Sequence, residues 1–177
     1  MNWKFLFGFI SNLIDNISLF SGRFSSLVMI ALVLNVAVVV VLRYVFSVGF
    51  IWMQELYIWF HATVFLLGAC YTLLDDEHVR IDIVYRSLTK RRQGLVNCFG
   101  VLVFAFPVIY LIYTKSLPLI RRSWSVLEGS VEAGGLPGVF LFKSLIALFA
   151  ILLGLQLLSL FFKNMIVIFS PQSRADR

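Results

Sequence analysis

The chain is poor in the residues that carry chemistry. Among 177 residues there are two cysteines, two histidines, four prolines and nine acidic residues, and only 14% of positions are charged. Cys70 and Cys98 lie in or beside apolar segments and form no spaced motif, which speaks against a disulfide scaffold or a redox pair and fits buried free thiols. No Walker loop is present, nor a Ser/His/Asp or Cys/His constellation. His61 and His78 stand 17 positions apart, which along a helix is about 25 Å at 1.5 Å per residue. One haem cannot bridge them, so a single chain offers no bis-histidine site, and His61 is expected to be a packed, hydrogen-bonded group between helices. Charged residues fall well below the roughly 25% of ordinary soluble domains. With 60% of residues in the hydrophobic set and 18 phenylalanines, a soluble domain of this length could not hide its apolar surface. A soluble enzyme, a disordered tail and a nucleic-acid binder are therefore excluded.

What is abundant is long apolar sequence. Four stretches, at about 24–45, 53–74, 95–113 and 139–162, are long enough to cross the roughly 30 Å hydrocarbon core as helices. The first holds the β-branched run Val38–Val41. Ser47-Val48-Gly49 separates the first two spans, a charged stretch from Asp75 to Arg92 the next two, and a longer link ending in Gly134-Gly135-Leu136-Pro137-Gly138 the last two. Over residues 1–22, Trp3, Leu6, Ile10, Leu13, Ile17 and Phe20 recur at helical spacing, while Lys4, Gly8, Ser11, Asn12, Asp15 and Asn16 fall largely on the other side. This pattern predicts an amphipathic helix lying in the membrane interface. It lacks the basic cluster, continuous apolar run and cleavage site of a secretory signal and is expected to stay on the mature protein. The expected fold is a single all-α integral membrane domain over 1–177, with four transmembrane helices behind an N-terminal interfacial helix.

Four spans put both termini on one side. That side would carry ten basic residues, including Lys90-Arg91-Arg92 directly before the third span, against five on the other: Arg43, Lys115, Arg121, Arg122 and Lys143. The excess predicts cytoplasmic termini, and the net charge of +6 then reads as topology and contact with anionic lipid rather than nucleic-acid binding.

The remaining polar residues fall into three groups. Glu55 opens the second span with Trp52 and Trp59 near the same helix face. It reads either as an acid favoured by a helix N-terminus or as a polar contact to a partner helix, with Arg43 a candidate counter-charge. The segment Asp75-Asp76-Glu77-His78-Val79-Arg80-Ile81-Asp82 has carboxylates and an imidazole but no spacing that makes ligands converge on a metal; it reads as a solvated connector or a partner contact. The link from Leu117 to Gly138 mixes Arg121, Arg122, Glu128 and Glu132 with Leu119, Trp124 and Leu127, as a short amphipathic surface piece, an aromatic anchor or a docking surface would. Intramembrane polar groups are few (Asn35, His61, Gln156 and Lys143), and no inverted repeat or pair of broken helices marks a transport site.

Five motifs in order resemble the small membrane subunit of tripartite ATP-independent periplasmic (TRAP) transporters. They are Arg43-Tyr44-Val45-Phe46 closing the first span, Trp52-Met53-Gln54-Glu55-Leu56 opening the second, Phe65-Leu66-Leu67-Gly68-Ala69, Glu77-His78-Val79-Arg80-Ile81-Asp82, and Gly135-Leu136-Pro137 before the fourth. Gln54 departs from the pattern, which often carries a second acid there. The resemblance implies a bacterial inner-membrane protein without catalytic residues, bound metal or cofactor of its own. It would scaffold a large elevator-type membrane subunit that holds the sodium and substrate sites, and work with a periplasmic substrate-binding protein in sodium-coupled uptake of an organic anion. Arg43, Trp52, Glu55, Trp59, His78, Arg80 and Asp82 are then candidates for the subunit interface, and Arg121, Arg122, Glu128 and Glu132 for the periplasmic partner surface. The competing expectations are a membrane anchor of a redox complex, testable by haem absorbance, and a small homo-oligomeric transporter, testable by uptake in liposomes.

Overall fold

The computed structural model describes residues 3–75, 85 and 88–170, and among these every regular element is helical. In chain order they are α1 (Trp3–Val45), α2 (Ile51–Leu74), α3 (Lys90–Gly100), a π-helical turn (Val101–Ala105), α4 (Phe106–Ser125) and α5 (Val139–Ile168). The α3–π–α4 run is one continuous rod, so four rods are long and apolar enough to cross a membrane.

α5 is the central element and touches all the others. α1 runs antiparallel to it, pairing Phe7 with Phe162 and Ser18 with Gln156. The third rod also runs antiparallel, with Asn97 bonded to Asn164 near one end and Trp124 to Ser144 near the other. α2 lies alongside in the same direction as α5, stacking Trp59 on Phe142. Leu73, Val101 and Leu157 bring α2, the π turn and α5 together in a small apolar core, flanked by Ile109, Leu153 and Phe161. That core is modest: only 22% of the most apolar window of α5, and 6% of that of α1, is buried within the chain. Most of the apolar surface therefore faces lipid or another chain.

The rods are longer than hydropathy alone predicts. The break expected between residues 22 and 24 is absent, and α1 continues for 43 residues, about 64 Å. The Leu19-Phe20-Ser21-Gly22-Arg23 stretch contains no proline, and one glycine does not stop a helix. Gly22 serves instead as a crossing point, because a Cβ there would stand 2.5 Å from Cγ of Tyr71 on α2. Beside it the Ser21 hydroxyl donates to the Leu67 carbonyl at 2.9 Å. Small residues that let backbones approach, with hydroxyls bridging them, are the ordinary means of joining helices in lipid.

The third span likewise does not end near Tyr113. The helix runs on to Ser125 past Pro118, so the basic residues that end the apolar run sit on its exposed continuation. The π turn has a local cause. Pro107 has no N–H to give the Val103 carbonyl, and the ladder shifts register there, with the Phe106 N–H reaching back five residues to Val101.

Part of the polar side of the N-terminal segment meets protein, through Lys4, Ser11 and Asp15, while Asn12 and Asn16 are exposed. Ser11, Ile14 and Ser18 are buried against α5 while Phe5, Phe9, Leu13 and Phe20 point outward. Asp15 is the hub of the contact. Its Oδ2 pairs with Lys163 at 2.6 Å, and its Oδ1 accepts from Ser159 at 2.8 Å and Gln156 at 3.2 Å. Gln156, only 2% exposed, accepts in turn from Ser18 at 2.6 Å. Interhelical hydrogen bonds in lipid are worth about 0.6–2 kcal/mol each, and a buried carboxylate is tolerated only when paired. Part of the segment's polarity is thus an internal seam.

Filling the α1–α2 crossing separates these contributions. Gly22→Val should lower stability by about 1–3 kcal/mol through overpacking, read as earlier thermal unfolding in detergent. Gly8→Ala, at a helical position with open space around it, should be neutral or slightly stabilising.

Candidate functional site

The densest polar constellation joins the start of α2, the start of α5 and the link between α4 and α5. α4 closes with Glu128 N–H bonded to the Ser123 carbonyl at 3.0 Å, and Leu127 takes a φ of +45° as the chain turns away. The link then folds back on itself. Ser130 N–H donates to the Leu136 carbonyl and Gly135 N–H to that of Glu132, both at 3.0 Å.

Glu55, on the second turn of α2, closes this loop from outside. One carboxylate oxygen, Oε1, accepts from the Ser130 hydroxyl, and the other, Oε2, accepts from the Leu136 N–H at 2.6 Å. A carboxylate with one donor per oxygen forms strong, charge-assisted bonds. The Gly135-Leu136-Pro137 motif follows from that geometry, since a Cβ on Gly135 would lie 2.8 Å from Glu55 Oε1 and 2.4 Å from Ser130 Oγ. The same end of α5 holds a second lock. Lys143 pairs with Glu128 at 2.5 Å, and Trp124 packs edge-on against Phe140 while its indole N–H donates to Ser144 at 2.9 Å. The Lys143 ammonium holds the Glu128 carboxyl below the ordinary value of 4.5. A cavity of about 280 Å³ beside the loop is lined by Glu55, Trp59, Glu128 and Ser130 among others.

The expected pairing of Arg43 with Glu55 does not form. Both oxygens of Glu55 are taken by the 130–136 loop, and Arg43 is exposed at the end of α1. Sequence spacing put the two at one end of the α1–α2 hairpin but carried no information on a segment arriving from 75 or more residues away. Trp59 is turned inward onto Phe142, whereas Trp52 is exposed. Of the link residues, Arg121, Arg122 and Glu132 are exposed, and Glu128 is held by Lys143. His78, Arg80 and Asp82 lie outside the described residues. His61 is not a packed, hydrogen-bonded group: it is exposed, lining a groove between α1 and α2. Among the described residues no group of three or more His, Cys, Asp or Glu is placed to hold a metal ion.

Residues that spacing did not single out carry much of this architecture, namely Ser130, Ser144, Ser159 and Ser18. Serines leave no pattern of their own. Asp15 reads only as part of a polar stripe and Lys163 only as one of the basic residues, so their pairing is not visible either.

This is a polytopic helical membrane protein whose polar side chains chiefly tie its own helices and one re-folded link together. The family model for tripartite ATP-independent periplasmic transporters, DctQ component, matches residues 32–166, and the chain belongs to that family. It is thus a small membrane component of a TRAP transporter. No curated protein and no solved structure matches the chain.

Two outcomes check the loop lock. Glu55→Ala and Gly135→Val should each open the 126–138 link and raise its rate of limited proteolysis several-fold in detergent, with the helical content retained. The Lys143–Glu128 lock should depend on pH in a defined sense. Because the native carboxyl sits below its ordinary value, its contribution is complete above about pH 4.5 and is lost as pH falls through the depressed native value. Hydrogen exchange of the link should therefore accelerate in acid, and Glu128→Gln should remove part of that acceleration.

Proposed function

We propose that this chain is the non-catalytic scaffold of its transporter. It braces a large, moving membrane subunit in the bacterial inner membrane, with both termini in the cytoplasm and the 126–138 link in the periplasm. The observation that carries the reading is where the polar groups go. Glu55, Glu128, Lys143, Asp15, Lys163 and Gln156 all bond within the chain and hold α1, α2, α4 and α5 to one another. A chain that commits most of its bonded polar groups to cross-bracing is suited to stay rigid while a partner moves.

On this reading sodium and the substrate, an organic anion delivered by a periplasmic binding protein, are handled by the large subunit. Arg43 and Trp52, exposed near the hairpin link, are proposed subunit contacts, as are His78, Arg80 and Asp82 in the link between α2 and α3. Arg121, Arg122 and Glu132 are proposed for the periplasmic surface. Outward aromatic and aliphatic side chains on α1 would face membrane lipid.

Co-expression with the large subunit tests this. The two chains should co-purify in detergent, and deletion of this chain should abolish solute uptake by cells that retain the other two components. Failure to co-purify together with undiminished uptake would refute the scaffold role. So would solute uptake by this chain reconstituted alone in liposomes.

A further inference from the structure

Arg23 is a charge that the internal bracing leaves out. It is exposed on α1, with no hydrogen bond or ion pair among the described residues. Counted along the apolar run it stands just before the first span, where a headgroup would meet it. The continuous rod moves it inward. Asp15, bonded to Lys163, fixes α1 against α5, and Arg23 follows Asp15 by eight residues, about 12 Å deeper along the rod. From the opposite end, Ser21 bonds to the Leu67 carbonyl, and Leu67 lies twelve residues after Glu55, about 18 Å along α2. On α5 no charged residue stands between Lys143 and Lys163, an interval of about 30 Å that matches the hydrocarbon core. Arg23 lies at the depth of that uncharged interval, away from both of its ends.

An arginine at such depth ordinarily faces protein and is paired. Snorkelling to headgroups serves long side chains near helix ends, and Arg23 stands in the middle of a 43-residue helix. Lipid tails hold no anion, so the counter-charge is a carboxylate of a protein. A second copy does not bring one to this depth. Of the chain's nine acids, Asp15, Glu55 and Glu128 are bonded within the chain, and the other six lie in the two links before α3 and α5 and in the C-terminal tail. A twofold contact centred on this face, with both copies oriented alike in the membrane, would set Arg23 against Arg23. The surroundings suit a helix: Phe20, Phe24 and Leu27 are exposed around Arg23. The exposed Asn12 and Asn16 continue the same face toward the start of α1, within about 40° of one another and of Arg23.

We propose that Arg23 is a subunit contact, paired with an aspartate or glutamate on a transmembrane helix of the large membrane subunit that packs along the outward face of α1 from Phe20 to Leu27. This rests on the scaffold reading and names one charge through which the frame holds its partner.

The test uses the full chain co-expressed with the large subunit. Arg23→Gln, which keeps hydrogen bonding and removes the charge, should lower recovery of the large subunit about tenfold or more, as loss of one partner of a buried charge pair does. Arg23→Lys should retain most of it. The photo-cross-linker benzoylphenylalanine at Leu27, 66% exposed, should cross-link to the large subunit. The isolated Arg23→Gln chain should unfold in detergent at the same temperature as the unsubstituted one, because nothing within the chain bonds to Arg23. Undiminished recovery with Arg23→Gln, or a Leu27 cross-link to a second copy or to no protein, would overturn this proposal and leave the scaffold role standing. Earlier unfolding of the isolated Arg23→Gln chain would do the same, by placing the counter-charge within the chain. Absence of any complex with the unsubstituted chain would overturn both.

Discussion

A bilayer interior offers no hydrogen-bonding partner, so each polar side chain placed there must find one in protein. That constraint organises the whole structure. With so few polar residues available, those that bond across helices become the fasteners. Asp15, Gln156, Ser159 and Lys163 join α1 to α5, Asn97 and Asn164 join α3 to α5, and Glu55 joins α2 to the loop before α5. Apolar packing within the chain is thin by comparison, because lipid solvates leucine and phenylalanine as well as another helix does. Directional contacts therefore decide which helices meet and in what register.

The two ends of the bundle are fastened differently. At the end with Glu55, a carboxylate on a rigid helix holds a link that is otherwise a set of turns, and Trp59 and Phe142 stack beneath it. At the other end the N-terminal third of α1 is bonded lengthwise along α5, so a segment with the composition of a surface helix becomes part of a continuous rod about 64 Å long. An apolar rod longer than the hydrocarbon core must tilt, or have its ends covered by headgroups or protein. Both locks leave the outward surface almost wholly apolar, which is what a frame needs if its remaining contacts are with lipid and a neighbouring subunit.

Much of this was legible in the sequence, though unevenly. The four spans followed from apolar runs, because length and hydropathy are local properties. The order of motifs from Arg43-Tyr44-Val45-Phe46 to Gly135-Leu136-Pro137 pointed to the family whose model matches residues 32–166. Two members of that series, Glu55 and Gly135-Leu136-Pro137, turn out to be halves of one contact, and nothing local to either says so. Arg43 was the nearer partner in sequence and lost to a loop. The continuity of α1 was hidden because Asn12, Asp15 and Asn16 read as a water-facing stripe, although Asp15 faces Lys163. The length of the third rod was hidden because Lys115, Arg121 and Arg122 end the apolar run without ending the helix.

The central claim is that these fasteners make the chain a rigid frame that holds its shape while its partner moves. It is tested most directly by spin-label distances between Asn12 and Val131, exposed at opposite ends of the bundle, measured in the assembled transporter in lipid with and without sodium and solute. The account predicts one narrow distance distribution that is the same in both conditions. A second population, or a shift on adding solute, would contradict it.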